Sequence, residues 1–200
     1  EVGSGRPSGN MWTHIGSDRN KHLEGMLFDE VAADWGVGVE EMVCRVMAEE
    51  SLTCGFRGTP PTSVKVWRQV EEDVMELMSR PDYMVGSDSI PVGGIPPPRA
   101  YGCFVRVLGR LRRRYNYPVE QVVQRLTQNP AERFGLTDRG VIAEGKFADL
   151  VIFDAERVID RSSFEDPQVH PEGVPWVLVN GQIAVENEAV TGVLAGEAIP

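Results

Sequence analysis

The sequence predicts an α/β protein, with strand and helix alternating over about the first 135 residues and a β-rich remainder. Three observations predict it. Apolar residues recur at helical spacing in several stretches before Gly135, the pattern of helices that bury one face. After Gly135 the period changes. Leu150-Val151-Ile152-Phe153 is β in composition, and two apolar runs flank Asn180-Gly181. That dipeptide favours a type I′ hairpin, because both central residues need φ > 0. Finally, Tyr83-Met84-Val85-Gly86-Ser87-Asp88 is a short apolar run that ends in an acid. A loop rich in Gly and Pro follows it (Pro91, Gly93, Gly94, Pro96, Pro97, Pro98). A strand ending in a carboxylate and opening into a loop is how a (β/α) barrel presents a catalytic acid.

The elements follow in order. Residues 1–10 read as loop, with three Gly, one Pro and two Ser. Met11–Ile15 is a strand candidate. Leu23–Trp35 reads as a helix with Leu27, Phe28, Val31, Ala32 and Trp35 on one face, ended by Gly36 and Gly38. Val39–Leu52 is a second helix, with Met42, Val43, Val46 and Met47 inward, and Leu52–Phe56 is a strand candidate. Ser63 is an N-cap for a helix over Val64–Ser79, with Val66, Trp67, Val70, Val74, Leu77 and Met78 inward. Pro81 closes it. After the Asp88 strand, helices are predicted from about Tyr101 to Tyr115 and over Val119–Thr127, with Pro118 at the start of the second. Asn129–Phe134 reads as one more helical turn. Asp149 and Asp154 flank the Leu150–Phe153 strand as turn residues.

Composition excludes some classes of function. The formal net charge of −10 opposes nucleic-acid binding, which needs clustered Lys and Arg. The local run Arg106, Arg110, Arg112, Arg113, Arg114, interleaved with Val105, Val107, Leu108 and Leu111, reads as the wet face of a surface helix. Three scattered cysteines (Cys44, Cys54, Cys103) make no CxxC and no disulfide framework, which suits a reduced, cytoplasmic setting. Cys44 falls on an apolar helix face and reads as core. Trp12, Trp35, Trp67 and Trp176 read as core or interface. No apolar run approaches the roughly 20 residues of a membrane span, and no signal peptide is visible. Glu1 is not a start methionine.

A full (β/α) barrel takes about 250 residues. The two or three βα units expected before Gly135 would bury one face against strands outside this sequence, and the β-rich tail would expose edges. The expectation is the C-terminal part of a larger enzyme, completed by a missing N-terminal barrel half, or a homo-oligomer.

Val85-Gly86-Ser87-Asp88, Pro98-Arg99, Gly102 and Phe104-Val105-Arg106-Val107-Leu108-Gly109 carry a family likeness. So do Leu126-Thr127, Asn129-Pro130-Ala131-Glu132-Arg133-Phe134-Gly135-Leu136, Asp138-Arg139-Gly140, Gly145, Phe147–Asp154 and Thr191-Gly192. Upstream, Leu23-Glu24-Gly25 and Glu30-Val31-Ala32 fit more weakly. These residues resemble the C-terminal region of N-acyl-D-amino-acid deacylases (D-aminoacylases), in the metal-dependent amidohydrolase superfamily. The resemblance implies residues 1–135 as late βα units of a (β/α)8 TIM barrel and residues 136–200 as the C-terminal strands of a small β-sandwich. It implies a zinc-dependent hydrolase of the linear amide bond of small-molecule N-acyl-D-amino acids, with no nucleic-acid or membrane partner.

In that likeness Asp88 corresponds to the catalytic carboxylate, which takes a proton from zinc-activated water and passes it to the leaving amine. Without the resemblance, Asp88 reads as a cap or an Asx-turn residue. Arg99 matches an arginine that grips the substrate carboxylate with two bonds; on its own it is a surface arginine closing the loop. Ser89 is a substrate-binding candidate and stands where the family usually has Gly. Pro97-Pro98-Arg99 replaces the common His-Pro-Arg. The zinc ligands implied by the family, His-x-His, further His residues and a Cys, have no match here. Catalytic zinc needs about three protein ligands, while His14, His22 and His170 form no HxH or HExxH. His14, at a strand end, reads as structural or substrate-lining, and His170 as surface. The segment alone is expected to be inactive. Two alternatives stay open: a non-catalytic, truncated amidohydrolase-like interaction protein, and a cyclic-amide hydrolase of dihydroorotase or hydantoinase type.

Overall fold

The computed structural model describes residues 9–58, 63–89 and 92–199. Pro91 of the expected loop, and residues 1–8 of the expected N-terminal loop, lie outside them. The chain divides into two compact units. Unit 1 comprises residues 1–68, 88–100 and 163–168; unit 2 comprises residues 69–87, 101–162 and 169–200. Among the described residues, no helix is long and apolar enough to cross a membrane.

Unit 1 is built on β1 (Asn10–Ile15) and β2 (Cys54–Gly58), joined through α1 (Phe28–Trp35) and α2 (Val39–Glu49). The two strands pair antiparallel, Met11 opposite Arg57 and Ile15 opposite Cys54, with a register shift between Trp12 and His14. Trp12, Ile15, Phe28, Val31, Met42 and Val46 are buried together. The Trp12 and Phe28 rings stand 4.4 Å apart, and Phe56 meets Trp12 edge-on. Burying side chains of this size contributes about 1.5–3 kcal/mol each.

Three expectations change here. The helix predicted over Leu23–Trp35 is a single 3-10 turn at Lys21–Leu23, followed by α1. Gly25 breaks it with φ of +86°, and α1 begins where the Glu30 carboxylate accepts the Leu27 N–H at 2.8 Å. Cys44 is exposed. α2 turns Met42 and Val46 inward, and a residue two positions from each cannot share their face. Tyr83–Asp88 forms no strand. Apolar residues favour extended backbone, but a strand also needs a ladder partner. Among the described residues, the backbone bonds that hold this run within unit 2 are Tyr83 N–H to the Arg80 carbonyl and Val85 N–H to the Arg125 carbonyl.

Unit 2 contains most of α3 (Val64–Ser79), then α4 (Arg99–Arg106) continuing through a π-helical stretch at Val107–Leu111 into α5 (Arg112–Arg114). α6 (Val119–Leu126) and α7 (Gln128–Arg133) follow. Ser63 caps α3 as expected, its Oγ accepting the Val66 N–H at 3.5 Å. Met75, Met78, Val107, Leu108, Leu111, Val122 and Val158 form the core. Val66, Trp67, Val70 and Val74 are half-buried and Met78 is buried, as expected on α3, while Leu77 is exposed and the acid Glu71 is buried. The reason lies in the arginine run. Arg106 reaches Glu71 at 3.3 Å and the buried Asp160 at 3.2 Å, Arg110 holds Asp160 at 3.0 Å, and Arg114 pairs with Glu71. Arg112 and Arg113 donate to the Ala155 carbonyl. The run expected to be a wet face thus neutralises two buried acids, a pairing that buried charges require.

The β-rich part of unit 2 is a four-stranded antiparallel sheet in the order β3 (Leu150–Ile152), β4 (Trp176–Val179), β5 (Gln182–Glu186), β6 (Ala189–Val190). Asn180 and Gly181 join β4 to β5 with φ of 48° and 77°, the expected type I′ geometry. Asp154 accepts the Glu156 and Arg157 N–H groups, and Asp149 accepts the Asn180 N–H, so both are turn residues. His170 is exposed, as expected.

Gly109 sits against the Val158 backbone so closely that a Cβ would overlap the Val158 carbonyl oxygen. Gly109→Ala is therefore expected to destabilise the protein by about 1–3 kcal/mol, the usual cost of overpacking. Chemical denaturation measures it, and an unchanged midpoint contradicts the contact.

Candidate active site

The candidate residues gather in unit 1, along the segment from Asp88 to Ala100. Asp88 has φ of 45°, a left-handed conformation that Asp tolerates better than most residues. Its carboxylate is fully exposed. The Arg99 guanidinium closes the segment, its Nε and Nη2 donating to the Asp88 carbonyl oxygen at 3.1 and 2.8 Å. Arg99 Nη2 also lies 3.7 Å from Asp88 Oδ2. Residues eleven positions apart are thus tied together at the base of a loop. The fork expected to grip a substrate carboxylate is turned here toward a backbone oxygen. Arg99 opens α4, and the Ala100 N–H donates to Pro97 O at 2.9 Å.

The middle of the loop rests on β1. Gly93 has φ of +85°, and a Cβ there would overlap the Thr13 carbonyl oxygen and come within 2.9 Å of His14 Cβ. Only glycine meets both conditions without strain. Pro96 is fully buried, and Ile95 Cδ1 approaches Gly25. Ser89 Oγ is buried without a hydrogen-bond partner among the described residues, so it keeps donor and acceptor capacity toward them.

At the C-terminal end of β1 two acids fix the chain. Glu24 Oε1 accepts the Ile15 N–H at 2.7 Å and the Lys21 ammonium at 2.6 Å, and lies 3.7 Å from His14 Nδ1. Burial pushes its carboxyl up, but Lys21, the Ile15 N–H and His14 together hold it below the usual carboxylate range. Glu50, buried at the end of α2, accepts the Ser17 hydroxyl at 2.6 Å, the Ser17 N–H at 2.8 Å and the Asn20 amide at 2.8 Å. The Ser17 hydroxyl is the largest cause of its lowered pKa, outweighing burial, with help from Asn20 and the backbone. Sequence reading missed both acids, since nothing local marks a Glu whose donors lie elsewhere in the chain. It also missed Arg57, which is buried opposite Met11, donates to Phe164 O at 2.8 Å and lies over the Phe164 ring. Burial pulls the Arg57 guanidinium down, and Glu165 opposes that.

Among the described residues, no three His, Cys, Asp or Glu side chains gather to hold a metal ion. These residues do not by themselves fit a catalytic zinc. A cavity of about 930 Å³ lies in unit 2, lined among others by Phe104, Leu108, Val123, Ile142, Phe147 and Phe153. It includes none of His14, Asp88, Ser89 and Arg99, and its apolar walls offer little chemistry. Convergent polar groups, rather than volume, therefore locate the site.

An amidohydrolase family model matches residues 16–185. The D-aminoacylase of Alcaligenes xylosoxydans xylosoxydans is 35% identical over 178 residues, covering 88% of this chain and 34% of that protein. A crystal structure of D-aminoacylase, described as defining a novel subset of amidohydrolases, superposes with a TM-score of 0.77 at 31% identity, over 94% of this chain and 36% of its own. The N-acyl-D-glutamate deacylase of Bordetella bronchiseptica was solved with zinc and a phosphonate mimic of the tetrahedral intermediate. It gives a TM-score of 0.71 at 31% identity, over 88% of this chain and 34% of its own. The chain belongs to the amidohydrolase family, and it spans about a third of the length of these relatives.

A carboxyl held lower in the folded than in the unfolded chain stabilises the fold above its unfolded pKa. That stabilisation is lost as pH falls through the folded value. Thermal unfolding followed from neutral to acid pH is therefore expected to show weakening below the ordinary carboxylate range, as Glu24 and Glu50 take up protons. Glu50→Gln is expected to make that slope shallower. A variant with the wild-type slope would show that Glu50 is not involved.

Proposed function

We propose that the chain contributes the proton-transfer carboxylate and substrate-binding loop of a hydrolase acting on the linear amide bond of N-acyl-D-amino acids. The observation that carries this reading is the Asp88–Arg99 closure. A fully exposed carboxylate, in a rare backbone conformation, is held at the base of a loop by a guanidinium from the far end of that loop. Family membership supports the same chemistry, since relatives along most of the chain are D-aminoacylases.

In this reading residues 1–135 supply late βα units of a (β/α)8 barrel, and residues 136–200 supply strands of a β-sandwich. Asp88 takes the proton of the attacking water and delivers it to the departing amine nitrogen, so one group serves as base and then acid. Arg99 stands beside it as the cation for the substrate carboxylate, through the guanidinium N–H groups that the Asp88 carbonyl does not take. Ser89, with an unused hydroxyl, offers the substrate a hydrogen bond. The N-acyl-D-glutamate deacylase relative was solved in complex with zinc. The described residues do not fit it, so no step is assigned through a metal.

Hydrolysis of N-acetyl-D-methionine, N-acetyl-D-glutamate and a cyclic amide by the full-length enzyme that carries these residues tests the assignment, with the isolated 200 residues expected to be inactive. Asp88→Asn is expected to lower kcat by about 10²–10⁴-fold, the usual contribution of a positioned acid–base group. Arg99→Ala is expected to raise KM about tenfold or more, a loss of about 1.4 kcal/mol in binding. Wild-type kcat in Asp88→Asn, or preference for the cyclic amide, overturns the reading.

A further inference from the structure

The end of β1 holds a titratable pair that the proposed chemistry does not use. His14 Nδ1 is buried and makes no hydrogen bond among the described residues. Its nearest charged group is Glu24 Oε1 at 3.7 Å, an electrostatic distance rather than a hydrogen bond. The same oxygen is anchored by the Ile15 N–H and by Lys21, so it cannot move away from the ring without breaking both. A carboxylate is an acceptor only, and one facing Nδ1 favours the tautomer protonated there. Nε2 is then left with a lone pair. The His14 side chain keeps 28% exposure while Nδ1 has none, so its accessible part lies away from Glu24.

The position of this ring matters as much as its tautomer. Gly93 packs on the Thr13 carbonyl and on His14 Cβ, and Ile95 reaches Gly25, the residue after Glu24. The loop closed at its base by Arg99 and Asp88 therefore rests on the Thr13 backbone, on His14 Cβ and on Gly25, beside the His14 ring.

We infer that His14 is a further substrate-binding residue, accepting the amide N–H of the N-acyl group at Nε2, and that Glu24 is its positioning residue. This inference rests on the reading of Asp88 and Arg99 given above. It makes His14 a determinant of amide over ester, because an O-acyl analogue has no N–H to offer.

The test compares N-acetyl-D-glutamate with its O-acetyl ester analogue in the full-length enzyme that carries these residues. His14→Phe keeps a ring but has no lone pair. It is expected to raise KM for the amide about five- to tenfold, with kcat nearly unchanged and KM for the ester unmoved. His14→Gln, which keeps an acceptor, is expected to recover part of the loss. Glu24→Gln is expected to raise KM for the amide as well. Equal losses on both substrates, or none, overturn the inference. If Asp88→Asn keeps full activity the underlying reading fails instead, so the two failures are separable. Imidazole ¹⁵N NMR decides His14 without turnover. Nε2 is expected to be the unprotonated nitrogen and to shift on adding N-acetyl-D-glutamate but not the ester. A silent Nε2 signal rules the contact out even where no variant is stable enough for kinetics.

Discussion

The hydrogen bonds from Arg99 to the Asp88 carbonyl are the interaction on which the rest of the candidate site depends. A loop of this length is entropically costly to hold closed, and two charge-assisted bonds at its base offset part of that cost. With the base closed, the middle of the loop is free to settle on β1, where Gly93 allows backbone to approach backbone. The Asp88 carboxylate is then displayed by its own main chain rather than by side-chain packing. The main chain of Asp88 is thus fixed while its carboxylate stays fully exposed.

Two solutions to the same electrostatic problem appear in the two units. In unit 1, Glu50 is satisfied by neutral donors, the Ser17 hydroxyl and N–H and the Asn20 amide, while Glu24 takes the Ile15 N–H and the Lys21 ammonium. These bonds shape the chain after β1. In unit 2, Glu71 and Asp160 are satisfied by three arginines on one helical run. Each solution removes the penalty of an unpaired buried charge. Both link segments distant in sequence, Glu50 to Ser17 and Asn20 in unit 1 and Glu71 and Asp160 to the arginine run in unit 2.

Much of the fold was legible in the sequence wherever local rules decide it. Helical periodicity gave α2 and α3, Ser63 gave a cap, and Asn180-Gly181 gave a hairpin. What was not legible depends on partners. Tyr83–Asp88 has the composition of a strand but no ladder to join. The arginine run reads as surface, because only its pairing with Glu71 and Asp160 makes burial of those acids tolerable. Cys44 shows the smaller failure of assigning a whole helix face from composition. At the site, Asp88, Ser89 and Arg99 could be nominated from sequence. The turn of the Arg99 fork toward a carbonyl, the unpartnered Ser89 hydroxyl and the Glu24–His14 neighbourhood needed three dimensions.

The π-helical stretch at Val107–Leu111 has a consequence for helical phase. Arg106, Arg110 and Arg114 are spaced by four. On an α-helix, at about 100° per residue, each step of four overshoots a full turn by about 40°. Three such residues would fan out, and the last would leave the face of the first. A π turn, with i→i+5 bonding, winds less per residue and cancels part of that drift. The wider turn thus keeps a spacing of four nearly in phase, so that one side of one helix can serve two acids from different parts of the chain.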